Sequence, residues 1–297
     1  MDDIQLTLKN LEAKIESALR NQKLQLAFEK ESETRFKRNL VAFEKYFPAL
    51  CKEIKNFEPR EDFRVFAAES GAGNFIPQDS PVPLYGSDPI AQCDEQVERY
   101  TQSAIFGRSE LYKEVPKGTG IDDRLHVRYM VELAQTFVNA DLGDEDKLSS
   151  LPNHYPTCVM FGLGLGYPLK TIMQRFSFDY VFVCEPDFEV FYASLFCIDW
   201  EEIFQESEAE SGCLFLKIGI SYDTFFDELN SAVNSVGNSS LISSFCYQHT
   251  PGSEINSLIK RFFDNFALLQ SGYGFYNDAI TGLAHALENF NEHKCPV

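Results

Sequence analysis

The 297-residue sequence holds no apolar run near the ~20 residues that a membrane-spanning helix requires. Its opening, MDDIQLTLKN, has neither a basic start nor an apolar core, so no signal peptide is expected. Positive charge is scarce: 26 Lys and Arg stand against 45 Asp and Glu, a formal net charge of −19. Nucleic acid and anionic membranes both demand a basic footprint, so neither is expected as a partner. The eight cysteines, at 51, 93, 158, 184, 197, 213, 246 and 295, form no CxxC pair. Several sit inside apolar stretches, where a free thiol behaves as a small hydrophobe. That pattern excludes a disulfide framework or a zinc site and points to a reducing cytoplasm. The five histidines, at 126, 154, 249, 285 and 293, have no metal-ligand spacing. No Gly-x-Ser-x-Gly elbow and no Ser/His/Asp order is present. Tryptophan is nearly absent too, one against 27 Phe and 13 Tyr, so the core is expected to pack on phenylalanine and tyrosine.

What is present centres on residues 158–187, CVMFGLGLGYPLKTIMQRFSFDYVFVCEPD. Cys158 to Phe161 reads as a short strand, Gly162, Gly164 and Gly166 as a turn, and Leu169 to Phe176 as a helix. Tyr180 to Cys184 reads as a second strand, closed by Glu185, Pro186 and Asp187. Strand, helix and strand in that order make a parallel unit, because a tight hairpin cannot join parallel neighbours. Glycines let the chain turn sharply out of a strand and leave room for a ligand against the backbone. An acid 19 residues past Gly166 stands where dinucleotide folds hold a ribose hydroxyl. The spacing departs from the dinucleotide fingerprint, which wants glycine where Tyr167 stands. It is similar to that of S-adenosylmethionine-dependent methyltransferases, which carry an acid where this chain has Met160. Gly162, Gly164, Gly166, Glu185 and Asp187 are therefore the candidate binding residues for a nucleotide-like ligand. The other reading is that the glycines serve packing and Glu185 ends a strand.

Taken in order, residues 1–60 predict helices over 3–31 and 33–46 and a short continuation from Pro48, either capping a core or serving self-association. Residues 61–150 predict a small β-meander (FRVFAA, GAGNFIP, VPLYG), then a helix from Asp88 as N-cap to about Phe106. A second helix is expected at 123–138, followed by an acidic linker through Pro156. His154 and Tyr155 fall at its end, as linker residues or as flanks of the pocket. Residues 151–297 form the Rossmann-like half. Phe188 to Phe196 predicts a helix, DWEEIFQESEAES an acidic connection, and CLFLKIG a third strand. Tyr222 to Val236 predicts a helix, LISSFCYQ a fourth strand, Ile255 to Gln270 a helix, and the last residues one more helix. Repeated alternation marks an α/β fold with a parallel sheet.

The segments FGLGLGYPLKTI, VFVCEPDFEVFYASLFCIDWEEIF and NFIPQDSPVPLYGSDPIAQCDEQVERY together resemble the motility accessory factor (Maf) family, over roughly residues 60 to 290. That resemblance implies a cytoplasmic, motility-associated protein involved in attaching nonulosonic acids to flagellin. In that family the transfer is assigned to a central domain opening with a GNGPSL-like stretch, which this sequence does not contain. The chain is therefore expected to be an N-terminal accessory domain, ending in a linker toward a catalytic domain and not catalytic by itself. No catalytic residue is carried over. The candidate ligand of the glycine turn is nucleotide-like, a CMP-sugar or S-adenosylmethionine, and flagellin or flagellar proteins, with self-association through the N-terminal helices, are the expected partners. A free-standing methyltransferase and a ligand-free docking scaffold are the alternatives.

Overall fold

The computed structural model describes residues 2–108 and 148–266, apart from positions 79, 210, 211 and 242, with isolated helical positions at 132, 135, 136, 139 and 269. Its centre is a five-stranded sheet made of β3 (Ile105–Arg108), β4 (His154–Phe161), β5 (Ser177–Glu185), β6 (Cys213–Ile218) and β7 (Ser243–Gln248). The spatial order is β3-β7-β4-β5-β6. β4 pairs in parallel with both β5 and β7, and β5 with β6. The expected parallel pairing of the segments on either side of the glycine turn holds in register, Cys158 opposite Val181 and Phe161 opposite Cys184.

Side chains alternate across the pleat, and the sequence alternation decides which helices each strand meets. Cys158, Met160, Val181, Val183, Phe245 and Tyr247 join one core cluster. Val159, Phe161, Phe182, Cys184 and Cys246 join the other. On the first face lie α3 (Pro89–Gln102), α4 (Tyr167–Arg175), α5 (Phe188–Cys197) and α6 (Trp200–Ala209). α7 (Tyr222–Val236) and α8 (Ser253–Asp264) cover the second face. Strands buried on both sides read as continuous apolar runs, which is why VMF and VFVC stand out in the sequence.

Several expectations are corrected. The N-terminal region is one helix, α1 (Asp2–Tyr46), not two, followed by α2 (Pro48–Asn56). No proline or glycine interrupts residues 2–46, so nothing local stops the helix before Phe47 and Pro48. The meander reduces to a hairpin of β1 (Val65–Ala67) and β2 (Gly73–Phe75), because VPLYG forms no strand. The helix opened by Asp88 ends at Gln102, and β3 runs antiparallel to β7 at the sheet edge. DWEEIFQESEAES is not a connection: α6 occupies most of it and buries Trp200, Ile203 and Phe204 on one side. His154 and Tyr155 open β4 rather than ending a linker, at the strand end away from the glycine turn. Of the helix expected at 123–138 the described residues hold only positions 132, 135 and 136, which are helical, while residues 140–147 of the linker and the last helix lie outside the described residues.

α1 is joined to the sheet domain by a buried amide. Asn39 donates to the carbonyls of Leu195 and Ile198 at 2.8 and 2.9 Å, and accepts from the Trp200 N–H at 2.9 Å. Three partners satisfy most of what a buried amide can form. Beside it, Phe43 is fully buried and meets Phe191, Trp200 and Phe204 edge-on at 5.6, 5.3 and 5.0 Å.

Candidate functional site

At the carboxyl end of β4 the chain turns through Gly162, Gly164 and Gly166, with φ of +85°, +56° and +86°. These left-handed values are what a side chain would resist, and Gly166 then serves as N-cap of α4. Leu163 and Leu165, between the glycines, are fully buried. Alternation of glycine and leucine thus turns the strand while anchoring it below.

Glu185, at the carboxyl end of the neighbouring β5, is 3% exposed. Its carboxylate accepts the Leu163 N–H at 2.7 Å and the Asp187 N–H at 3.0 Å. Backbone N–H groups of such a turn are what an anionic ligand would use, and part of that capacity is taken by the protein's own carboxylate. Burial pushes its pKa up to about 7, while hydrogen bonds from Asp187, Leu163 and Gly164 pull the other way. Asp187 is exposed and caps α5, accepting from the N–H groups of Glu189 and Val190.

Two residues from distant parts of the chain cover the turn. Tyr85 Oη lies 2.6 Å from His249 Nε2 and accepts the Leu165 N–H at 3.2 Å. One proton is shared between Tyr85 Oη and His249 Nε2, and His249 Nδ1 faces the Tyr247 hydroxyl at 3.4 Å. Tyr247 donates to Gln96 Oε1 at 3.2 Å, and Gln96 Nε2 returns to the His249 carbonyl at 2.6 Å. Burial holds the His249 pKa down at about 4 and the Tyr85 pKa well above its usual 10, so both are neutral near pH 7. A Cβ on Gly164 would stand 2.6 Å from the His249 ring and closer still to Tyr85 Oη. One on Gly162 would meet Ile255 Cδ1 at 2.9 Å, and one on Gly166 would meet Ile198. The space left by the missing side chains is filled from within.

Residues 35–271 match the family model described as the glycosyltransferase Maf N-terminal domain. The chain belongs to that family. A solved structure, the MAf glycosyltransferase from Magnetospirillum magneticum AMB-1, shares the fold with a TM-score of 0.61 at 18% identity. The likeness covers 83% of this chain and 37% of that one, so the chain spans well under half the length of that glycosyltransferase. A search of curated proteins finds no match.

Within the Maf match, the structure assembles Gly162, Gly164, Gly166, Glu185 and Asp187 at one sheet end, as their order along the chain implies. Tyr85, His249 and Gln96 were not among the candidate residues of the sequence. The segment LYGSDP that carries Tyr85 was visible as a family feature, but its function as a cover was not. Asn74 places it: its side chain donates to the Tyr85 carbonyl at 2.8 Å and accepts the Tyr85 N–H at 3.2 Å, as a strand partner would. Tyr167 donates to the Gly73 carbonyl at 3.0 Å, which fixes the hairpin against the glycine turn. Beside the turn runs a cleft of about 450 Å³ whose lining includes Arg35, Asp94, Tyr167, Lys170 and Glu202. Lys170 pairs there with Glu202 at 2.6 Å and Arg35 with Glu31, while Asp94 accepts from the Thr171 hydroxyl at 2.7 Å. Among the described residues no helix is long and apolar enough to cross a membrane, and no cluster of His, Cys, Asp or Glu could hold a metal ion.

Proposed function

We propose that this chain is the accessory N-terminal domain of a motility-associated glycosyltransferase of the Maf type. It works in the cytoplasm, on flagellin as acceptor and a nonulosonic acid as sugar, and organises the reaction without transferring the sugar itself. The family match supports the glycosyltransferase association. The accessory role rests on one observation: Tyr85 and His249 occupy the volume over Gly164 that a nucleotide-like donor would need to approach the backbone. Incubating the chain with a CMP-activated nonulosonic acid and flagellin, then weighing the flagellin by mass spectrometry, tests the role. No mass change is expected, and a sugar-sized increase overturns it. Sedimentation of a mixture with monomeric flagellin tests the acceptor; the absence of a complex removes flagellin as a partner of this domain.

A second reading is favoured by the three left-handed glycines. Gly162, Gly164, Gly166, Glu185 and Asp187 would hold a CMP-sugar or S-adenosylmethionine once Tyr85 and His249 swing away. Calorimetric titration separates the two readings. Binding of CMP or S-adenosylmethionine well below millimolar, abolished by Gly164→Val, would replace the scaffold reading.

A further inference from the structure

Over residues 14–23 α1 makes little contact with the rest of the molecule, the Arg20 guanidinium reaching the Glu69 carbonyl at 3.5 Å. Positions 14–23 are all exposed, and Phe28 is the first buried residue along the described part of the helix. Yet Leu11, Ile15, Leu19 and Leu26 are 53–60% exposed. At about 100° per residue these four fall within an arc of roughly 80°, so they form one stripe along the helix. An uncovered apolar stripe of this kind marks a contact surface. In proteins most of a helix's stability comes from tertiary packing of its apolar face, which this stripe lacks within the chain. The matched family region begins at residue 35, so this arm precedes what the family model describes.

Charge identifies the occupant. Residues 2–25 hold Asp2, Asp3, Glu12 and Glu16 against Lys9, Lys14, Arg20 and Lys23, a balance of four and four in a chain of net charge −19. Two copies would repel through most of their surface, and this arm is a segment where they would not. Along the arm the acids Asp2 and Asp3 come first and the bases Arg20 and Lys23 last. An antiparallel pair sets the acidic start of one arm beside the basic end of the other, whereas a parallel pair opposes like charges. A membrane surface fits less well, because amphipathic helices that bind one carry an excess of Lys and Arg. We propose that the arm pairs antiparallel with the same arm of a second copy, through the stripe Leu11, Ile15, Leu19 and Leu26.

Sedimentation velocity of the full chain over a concentration series is the test, run beside two variants. The wild type is expected to dimerise. Leu11→Gln, Ile15→Gln and Leu19→Gln together keep helix propensity and touch no buried residue. This variant should be monomeric, with the wild-type thermal midpoint of the α/β body at matched low concentration. Arg20→Glu with Lys23→Glu should weaken the dimer roughly tenfold. A wild type that stays monomeric, or a triple variant that still dimerises, overturns the proposal. An unchanged affinity in the charge variant overturns the antiparallel order. Stripe-dependent binding of a monomeric chain to phosphatidylglycerol vesicles would assign the stripe to a membrane surface instead.

Discussion

Tyr85 and His249, 164 residues apart in the chain, meet at 2.6 Å over the Gly164 backbone. The contact joins a loop that follows the N-terminal hairpin to the carboxyl end of β7. It places a neutral phenol and a neutral imidazole where folds of this class open a crevice at the strand ends. Asn74 and Leu165 hold the tyrosine from either side.

Removing only the hydroxyl tests how much that contact contributes. Tyr85→Phe leaves the Leu165 N–H and His249 Nε2 buried without their partner. An unsatisfied buried polar group costs about 1–3 kcal/mol, so urea denaturation should show a loss in that range or somewhat above it. Unchanged stability would mean that the network forms no net stabilising contact.

The glycines are expected to rank. Gly164→Ala combines a left-handed φ of +56° with a Cβ forced against Tyr85 and the His249 ring. The strained backbone costs about 1–2 kcal/mol and overpacking typically 1–3 more. Gly162→Ala meets the movable end of Ile255, so its overpacking cost is smaller. Denaturant midpoints should therefore fall further for Gly164→Ala, and the reverse order would contradict the packing described.

Glu185 and His249 act on stability with opposite signs. Glu185 is raised from 4.5 to about 7, so between those pH values the folded chain holds its proton more tightly and stability falls as pH rises. His249 is lowered from 6.5 to about 4, so between about 4 and 6.5 the unfolded chain binds more protons and stability rises with pH. From about 4.5 to 6.5 the two oppose each other. Thermal melts across that window should show a steeper rise with pH in Glu185→Gln than in the wild type. His249→Gln should tilt the profile the other way. Profiles parallel to the wild type in both variants would show that neither group titrates in this way.

Asn39 links α1 to the junction of α5 and α6, and its removal should loosen that contact selectively. Asn39→Ala strands two carbonyls and the Trp200 N–H in a buried site. At about 1 kcal/mol for each net hydrogen bond, a loss of roughly 2–4 kcal/mol is expected. Hydrogen exchange should quicken first in α1 and α6. Uniform quickening across the sheet would show instead that the molecule opens as one unit.

Local pattern was enough for the parallel unit at the centre of the chain. Glycine at every second position, short β-branched and aromatic runs, and the helical spacing from Leu169 settle conformation within a few residues. Each acts through backbone sterics and burial of one face. The same holds for α7 and for Asp88 as a cap, which accepts the Ala91 N–H at 3.2 Å. Tertiary structure decided the rest. β3 is short and half polar, and it becomes a strand only because the edge of β7 offers unpaired backbone groups. α6 reads as an acidic loop until Trp200, Ile203 and Phe204 find Phe43 and its neighbours, since a helix with one buried side needs only a few apolar residues. The open appearance of the glycine turn was the largest difference. Nothing near Gly164 in sequence signals that Tyr85 and His249 fill the space above it. Contacts across 80 residues or more leave no period in the chain, and they arise only when the hairpin, α3 and β7 close on the same sheet end.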